Sequence, residues 1–554
     1  MIDLKNGEPV VGTTSSPPQR RHKFDCLVTV ALLLMIALGA VVRLINLGYP
    51  SLWVDEYDHL YAAKNLLETG RPTLPSGVPY TRAFPFTLLV AVSFRFLGIS
   101  EFSARLPSVV FGLLLIPLGF LLGRFFYNKW AGLVTAFLIT FLPQTVGWSR
   151  ACRMYTLFAV LYVLVVLCFY KGFEPNSDDT QPGADPPEQG CPKRPRTVRP
   201  GWLLLCGLLL ALTCYVQMLG ALFGIVVVSY CLAMTAVIAR RKGLRAAAAT
   251  KYAAALGAIV LGALLVLATT SALQRMWAVA NECPPYALWK ARMYSYYLPY
   301  LFGTRLDKLA ILGAFALAFR GKSGLYLLCA LIPPLLFHSF ALRWKAERYI
   351  FYLAPIFRVL VAVGVLVVGY WVVQTAMTVA QRLGASSRVR SASGWVTGIS
   401  LVALVLASYS SLWQGAMVSR EYHGVTVPHN DWRGAGRYVR ARMHPSDAVA
   451  SAVPLATLYY AGKNPEYVIR RFETFNSLAH ARHHDLYGGG LILEDVPMMT
   501  EMMRKHQRGW LMVDVTRWNR FMLSEAQMAF IKRHMKRHPK ASDGTVMVYS
   551  WGVR

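Results

Sequence analysis

Long apolar stretches separated by short polar connections run through the first three quarters of the chain. Runs long enough, or nearly long enough, to cross a bilayer lie at about 26–46, 105–123, 131–147, 154–170, 201–219, 221–238, 252–270, 308–319, 324–338, 350–372 and 395–413. A hydrocarbon layer about 30 Å thick needs roughly 20 apolar residues in a helix, so the pattern predicts about eleven transmembrane helices. The segment from Ala83 to Gly98 is apolar but short and carries Arg95 near its end.

Basic residues decide how that segment is read, because one more span inverts every later loop. If it does not cross, Arg20, Arg21 and Lys23, then Arg124 and Lys129, then Lys193 to Arg199, Arg240 to Arg245, Arg320 and Lys322, and Arg382 to Arg390 all fall on one side. Positive charge is retained on the cytoplasmic side, so that side is assigned to the cytoplasm. Residues 57–98 are then expected as an external loop with amphipathic helices lying on the membrane. The assignment places Asp55-Glu56, Ser149 to Tyr155, Tyr215 to Gln217, 271–307 and Arg343 to Arg348 on one external face. The Pro-rich polar stretch 173–200 reads as a cytoplasmic linker, and residues 1–24 as a cytoplasmic tail.

After Trp413 the pattern changes to short alternating helices and strands. Helices are expected over 431–443, 455–460, 496–507 and 523–537, and strands over 447–453, 467–470, 491–493, 510–515 and 545–549. This is the pattern of a small α/β domain, here 414–554, expected outside the membrane beside a transmembrane domain of 25–413 whose external loop is 47–104.

Composition agrees: 55% of the 554 residues are hydrophobic and only 16% charged, with mean hydropathy +0.39, too apolar for a soluble chain of this length. Lys and Arg number 58 against 28 Asp and Glu, a net charge of +30. The excess lies mainly between apolar runs, so it fits an anionic leaflet and no nucleic-acid partner is expected. The cysteines sit mostly within apolar runs, without the spacing of a zinc site.

The candidate chemistry lies just beyond the first span, at Asp55-Glu56. Paired carboxylates at a helix end are ordinarily solvated interface. Here Trp53 and Tyr57 bracket the pair at headgroup depth, Arg43 lies at the end of the preceding span, and a helical stretch from Tyr61 to Glu68 follows. A carboxylate in that position suits a base that takes a proton from an acceptor hydroxyl.

Read together with Glu101-Phe-Ser-Ala-Arg105-Leu-Pro107, Ser149-Arg150-x-x-Arg153-Met, Glu347-Arg348-Tyr349 through Pro355, and Asp431-Trp-Arg, the run from Arg43 to Ala62 resembles the polyprenyl-phosphate-dependent GT-C glycosyltransferases. Protein O-mannosyltransferases and the lipid A aminoarabinose transferase are the relatives meant. The resemblance implies a polytopic α-helical GT-C membrane domain with an extracytoplasmic α/β domain. It further implies transfer of a sugar from a polyprenyl-phosphate donor to a hydroxyl or phosphate acceptor at the outer side of the cytoplasmic membrane. Many relatives carry an Asp shortly after the second arginine of Ser-Arg-x-x-Arg, where this chain has Tyr155-Thr156, so no second carboxylate is expected from that loop.

On this reading Asp55 is the candidate base and Glu56 orients the acceptor or a neighbouring cation. Arg82, Arg150, Arg153 and Arg348 are candidates for the donor phosphate, whose oxygens a guanidinium matches bidentately. Arg105 is expected to pair with Glu101 one turn earlier. Tyr57, Tyr155, Trp289 and Tyr294 are candidates for contact with sugar or acceptor. His480, His483, His484 and Asp485 have only a generic metal-like spacing, and neither a metal site nor another cofactor is assigned. Two other functions compete: an oligosaccharide transferase using a pyrophosphate-linked donor, and a lipid transporter without catalysis.

Overall fold

The computed structural model describes residues 18–175, 198–269, 301, 306–340, 346–384, 386, 429–470, 477–478, 481–518 and 522–553. The first part is helical: α1 (Pro18–Leu44), α2 (Glu56–Thr69), α3 (Phe84–Leu97), α4 (Glu101–Phe126), α5 (Lys129–Phe141), α6 (Pro143–Ser149), α7 (Tyr155–Phe173), α8 (Pro200–Val216), α9 (Phe223–Lys242), α10 (Leu244–Ala248) and α11 (Lys251–Thr269). Three further helices follow at Leu309–Ala318, Gly321–Phe340 and Ala354–Arg382.

Among the described residues six helices are long and apolar enough to cross a membrane, or seven if α5 and α6 count as one bent span. The expected spans at 201–219, 252–270 and 308–319 coincide with shorter apolar helices. The one expected at 395–413 lies outside the described residues. α3, with 14 residues, reaches only about 21 Å at 1.5 Å per residue and is too short to cross unaided.

Lipid exposure orders the helices. Leu27, Val30, Leu33, Leu34, Leu38 and Val41 of α1 are exposed, and only 17% of its apolar window is buried, against 89% for α7. α1 is thus peripheral and lipid-facing, while α7 runs through the protein interior.

The α5–α6 span bends by 59° because Pro143 has no N–H to donate to the preceding turn and its ring clashes there. In a dry interior the carbonyls freed at such a break need donors. Arg43 supplies them, donating to Ile139 O at 2.9 Å and Thr140 O at 3.0 Å, while its Nε meets Ser149 Oγ at 3.1 Å. Gly112 of α4 leaves room for that junction, since a Cβ there would overlap the Ser149 side chain.

The C-terminal part is a sheet of order β3-β4-β5-β2-β1-β6-β8-β7. It comprises β1 (Ala448–Ser451), β2 (Tyr467–Ile469), β3 (Ser477–Leu478), β4 (Ala481–Asp485), β5 (Leu491–Leu493), β6 (Gly509–Asp514), β7 (Lys536–Arg537) and β8 (Val546–Trp551). β5, β2, β1 and β6 are parallel, and the outer pairings are antiparallel. Helices Trp432–Arg440, Pro454–Ala461, Val496–Lys505 and Glu525–His534 alternate with the strands. The five expected strands and four expected helices are all present. The short strands β3, β4 and β7 were not expected, because Ala-Arg-His-His-Asp and Lys-Arg lack an apolar face and are recruited by pairing with a neighbour.

This domain sits on the loop after α1. Arg433 reaches Gly48 O (2.7 Å), Tyr49 O (2.6 Å) and Glu101 Oε1 (2.5 Å). Tyr460 OH donates to Glu101 and accepts from the Leu52 amide, and Ser76 bonds the backbone of Leu486 and Tyr487. The expected Arg105–Glu101 pair does not form, because Glu101 turns to Arg433 and the buried Arg105 turns to Glu56.

Candidate active site

The loop leading to Asp55 is organised around one buried ion pair. Arg105 of α4 donates through Nε and Nη2 to both oxygens of Glu56 (2.9 and 3.0 Å), and its other N–H groups meet Leu47 O, Pro50 O and Ser51 O at 2.8–3.0 Å. Glu56 also accepts from the amides of Cys152 (2.6 Å) and Trp53 (2.7 Å). Burial works to raise its pKa, but the Arg105 charge and hydrogen bonds, with smaller help from His429 and the Cys152 amide, hold it below the usual value. Glu56 is therefore an ionised, enclosed pin between loop 47–56, α4 and the segment before α7. It orients a cation, Arg105, which is one of the two roles expected for it, and its carboxylate is fully enclosed.

Arg150 is also moved from its expected place. It is buried and donates to the carbonyls of Val42, Arg43, Ile45 and Asn46 at 2.7–3.3 Å. These are the last carbonyls of α1 and the turn beyond it, which no residue further along the helix serves. A cation at a helix C-terminus also meets the favourable end of its dipole. Arg150 closes α1 and is not presented to a phosphate.

Three residues on, Arg153 has a different outlook. Its Nη1 donates to Asp55 O at 2.6 Å, its Nη2 lies 3.7 Å from Asp55 Oδ2, and Nη1 lies 3.8 Å from Asp58 Oδ2. Burial works against its charge, yet Asp55 and its neighbours raise its pKa further, so it remains a cation. Arg348, from the 3-10 turn Glu347–Tyr349, approaches Asp55 Oδ2 from another side at 4.0 Å, over the rings of Trp53 and Tyr349.

Asp55 stands at the N-cap of α2 without making the capping hydrogen bond. Its carboxylate, 29% exposed, is thus left between two guanidinium groups. Around it lie buried polar atoms with no protein hydrogen-bond partner: Tyr80 OH, Tyr155 OH, Arg153 Nε and His59 Nε2. His59 bonds Thr87 through Nδ1 at 2.9 Å and is held neutral by burial and by the charges of Arg153 and Arg82. Arg82 itself is exposed on the loop before α3, near enough for its charge to be felt at Asp58 and Tyr80. From the sheet domain, Tyr487 completes the surround, its phenol pushed up by burial and by the charges of Asp58 and Asp55.

Asp58 was missed by sequence reasoning. It lies three residues after Asp55 on α2, a spacing that puts both side chains on one helix face, and that spacing was the available signal. Its pKa is raised to about 7, by burial first, with Arg153 opposing and Asp55 adding to the rise. A second carboxylate is present after all, from the same helix as the first.

The other expected contacts divide. Tyr155 faces the site, beside Arg153 (5.8 Å) and packed on Trp148. Tyr57 turns away and packs against Tyr459 and Tyr460 at 6.3 and 6.4 Å, where the sheet domain docks. Trp289, Tyr294 and His480 lie outside the described residues. Asp485 is buried at the end of β4, bonded to Arg470 and to the Tyr487 and Gly488 amides, while His484 bonds Gly489 O. Among the described residues no three of His, Cys, Asp and Glu converge on a point suited to a metal ion.

Comparison with known proteins adds to this geometry. Residues 82–180 match the family described as dolichyl-phosphate-mannose-protein mannosyltransferase. None of the curated proteins matches the sequence. Among solved structures, ArnT from Cupriavidus metallidurans in the apo state is similar over 94% of this chain and 98% of its own, at 16% identity and a TM-score of 0.56. The same protein bound to undecaprenyl phosphate gives 94% and 97% coverage, 15% identity and a TM-score of 0.55. The oligosaccharyltransferase AglB from Archaeoglobus fulgidus, in complex with an inhibitory peptide and a dolichol-phosphate, is similar over 89% of this chain and 70% of its own, at 13% identity and a TM-score of 0.57. The chain is accordingly a multi-pass membrane protein with the GT-C fold, and its residues 82–180 carry the sequence likeness to the mannosyltransferase family.

Proposed function

We propose that the chain transfers a sugar, with inversion, from a polyprenyl-phosphate carrier to an acceptor hydroxyl or phosphate at the outer side of the cytoplasmic membrane. The sheet domain lies on that same side. Asp55 takes the proton of an acceptor hydroxyl as its oxygen bonds to the anomeric carbon. The bond from that carbon to the carrier's phosphate oxygen breaks, its electron pair stays on the phosphate, and the polyprenyl phosphate leaves with one more negative charge. Arg153 and Arg348, with Arg82 at the rim, stabilise that charge. Attack opposite the leaving group inverts the anomeric centre, as in other single-displacement glycosyl transfers. Glu56 and Arg150 act by holding the loop and α1 in place, and Asp58 by setting the position and field of Arg153.

One observation carries this reading: Asp55 stands between two arginines, ringed by buried hydroxyl and N–H groups that no protein atom satisfies. Buried polar groups in a folded protein are nearly always paired, so a cluster of exceptions marks where a polar substrate binds. The test is transfer by purified protein from a radiolabelled polyprenyl-phosphate sugar to membrane lipid extract. Asp55→Asn is expected to lower the rate by about 10²–10⁴-fold, the usual contribution of a general base. Undiminished transfer by that variant would remove Asp55 from the mechanism. The oligosaccharide-transferring reading draws on the likeness to AglB, and a pyrophosphate-linked donor in the same assay separates the two. A cysteine at the exposed Asp543 tests sidedness: an impermeant thiol reagent should label it from outside intact cells.

A further inference from the structure

The sheet domain carries a second concave feature. A cavity of about 710 Å³ lies against β6 and β7, and five basic side chains line it: Arg442, Arg508, Lys536, Arg537 and Lys540. Residues 429–554 contain 19 Lys and Arg against 11 Asp and Glu, an excess of eight, so one cleft gathers positive charge equal to more than half of the domain's excess.

The floor of the cleft is built. Asp447 is buried and holds Arg508 through both oxygens (2.8 and 3.2 Å), and Trp510 Nε1 donates to the same carboxylate at 3.0 Å. Arg508 is thereby fixed in orientation while 45% of its side chain stays exposed to the cleft. Arg442 lies over the Tyr438 ring at 3.9 Å and donates to Tyr438 O at 3.3 Å, which holds its guanidinium at the cleft wall. Both nitrogens of His538 are occupied, Nδ1 by Tyr438 OH (3.1 Å) and Nε2 by Ser550 Oγ (2.7 Å). Burial and the charges of Lys536 and Arg442 lower its pKa, so it stays neutral and its ring is a fixed wall. Lys536, Arg537 and Lys540 are exposed, and among the described residues no carboxylate pairs with them or with Arg442.

We propose that this cleft binds a phosphate ester. Like charges gathered in one concavity repel one another, and a dianion relieves that repulsion while two pre-oriented guanidinium groups match its oxygens. The volume suits a headgroup or a small phosphorylated sugar. The site is separate from the Asp55 cavity and does not rest on the proposed transfer reaction. Tyr438 belongs to the helix Trp432–Arg440, whose first turn carries Arg433, docked on Gly48, Tyr49 and Glu101. This one helix thus joins the cleft to the loop that carries Asp55.

The test uses the full chain in nanodiscs of phosphatidylcholine, with inorganic pyrophosphate as the probe and calorimetry as the readout. The triple variant Lys536→Ala, Arg537→Ala, Lys540→Ala is expected to bind about tenfold more weakly or worse, as loss of three charge-assisted contacts implies. Arg504→Ala, on the exposed face of the helix Val496–Lys505 and outside the cleft, is expected to bind as the parent does. Equal binding by the triple variant and the parent, or an equal loss in Arg504→Ala, would overturn the proposal. The single charge reversal Arg537→Glu, with an unchanged unfolding temperature, serves if the triple variant folds poorly. Nanodiscs containing phosphatidylglycerol identify the source. Weaker pyrophosphate binding there, in the parent and not in the triple variant, means that the cleft takes lipid headgroups. Unchanged binding means that it takes phosphate esters from outside the bilayer.

Discussion

α7 carries a buried polar cluster at each end, and the two are built on opposite principles. At its C-terminal end Glu174 is 4% exposed and both of its oxygens are occupied. Oε1 accepts from Tyr230 OH (3.0 Å) and Tyr252 OH (2.6 Å), and Oε2 from Lys251 (3.2 Å) and Lys322 (3.3 Å). That carboxylate ties α7, α9, α11 and the helix Gly321–Phe340 together. At the N-terminal end Asp55 faces guanidinium nitrogens only at 3.7 and 4.0 Å, beyond hydrogen-bonding distance, beside hydroxyl and N–H groups without protein partners. A saturated cluster is a clamp, because every polar group repays its desolvation within the fold. An unsaturated one has its polar groups aimed at something other than protein. The same contrast recurs one residue apart, with Glu56 saturated and Asp55 not.

The contrast breaks first at Asp55. Asp55→Asn should lower transfer by about 10²–10⁴-fold with little change in unfolding temperature, since the carboxylate satisfies no helix cap; a large loss of stability would make it a structural residue like Glu56. Glu56→Ala and Glu174→Ala should do the reverse. Glu56→Ala leaves the buried Arg105 unpaired and should destabilise by about 3–5 kcal/mol, and Glu174→Ala, which strands two buried tyrosine hydroxyls but only part-exposed lysines, by about 1–3 kcal/mol, both read by thermal unfolding in detergent. Transfer per folded molecule should survive Glu174→Ala and be lost with Glu56→Ala, whose loop carries Asp55.

Asp58 sharpens the comparison through pH. Its folded pKa of about 7 lies above the ordinary 3.8, so the stability it contributes is present below about 4 and is lost as pH rises to 7. Arg153 and Arg82 oppose the rise, and Asp55 and Asp485 reinforce it. The unfolding temperature of the parent should therefore fall relative to that of Asp58→Asn as pH rises from 4 to 7, with a constant difference above 7. Parallel curves across that window would remove the raised pKa.

The smallest effects come from a matched pair of phenols. Tyr252→Phe removes a hydroxyl that bonds Glu174 and should cost about 1 kcal/mol of stability with normal transfer. Tyr155→Phe removes a hydroxyl with no protein partner and should leave stability unchanged while lowering transfer by about tenfold, the worth of one substrate hydrogen bond. The same phenotype from both substitutions would erase the distinction between the two ends of α7.

Much of the architecture was legible in the chain because the bilayer imposes a local rule. A spanning helix must satisfy its own backbone and be apolar along its length, so α1, α4, α7, α9 and the helix Ala354–Arg382 announce themselves. Alternating short strands and helices announced the sheet domain in the same way. Site chemistry was legible only to the level of residue type. Arg150 and Arg153 belong to one short motif, yet one closes the end of α1 and the other meets Asp55. Their difference depends on where α1 ends relative to α6, which is contact between residues about 100 positions apart. Asp58 escaped notice because the second carboxylate was sought after Arg153, not one helical turn beyond Asp55.

Local chemistry along the chain was thus enough to read a polytopic membrane domain, a following α/β domain, and Asp55 just beyond the first span. Which of two adjacent carboxylates is enclosed was decided by tertiary structure alone. Successive residues on a helix point about 100° apart, and Arg105, from α4, happens to lie on the Glu56 side. A charge in a dry interior persists only where its partners are already in place, and those partners come from distant segments that no local pattern records.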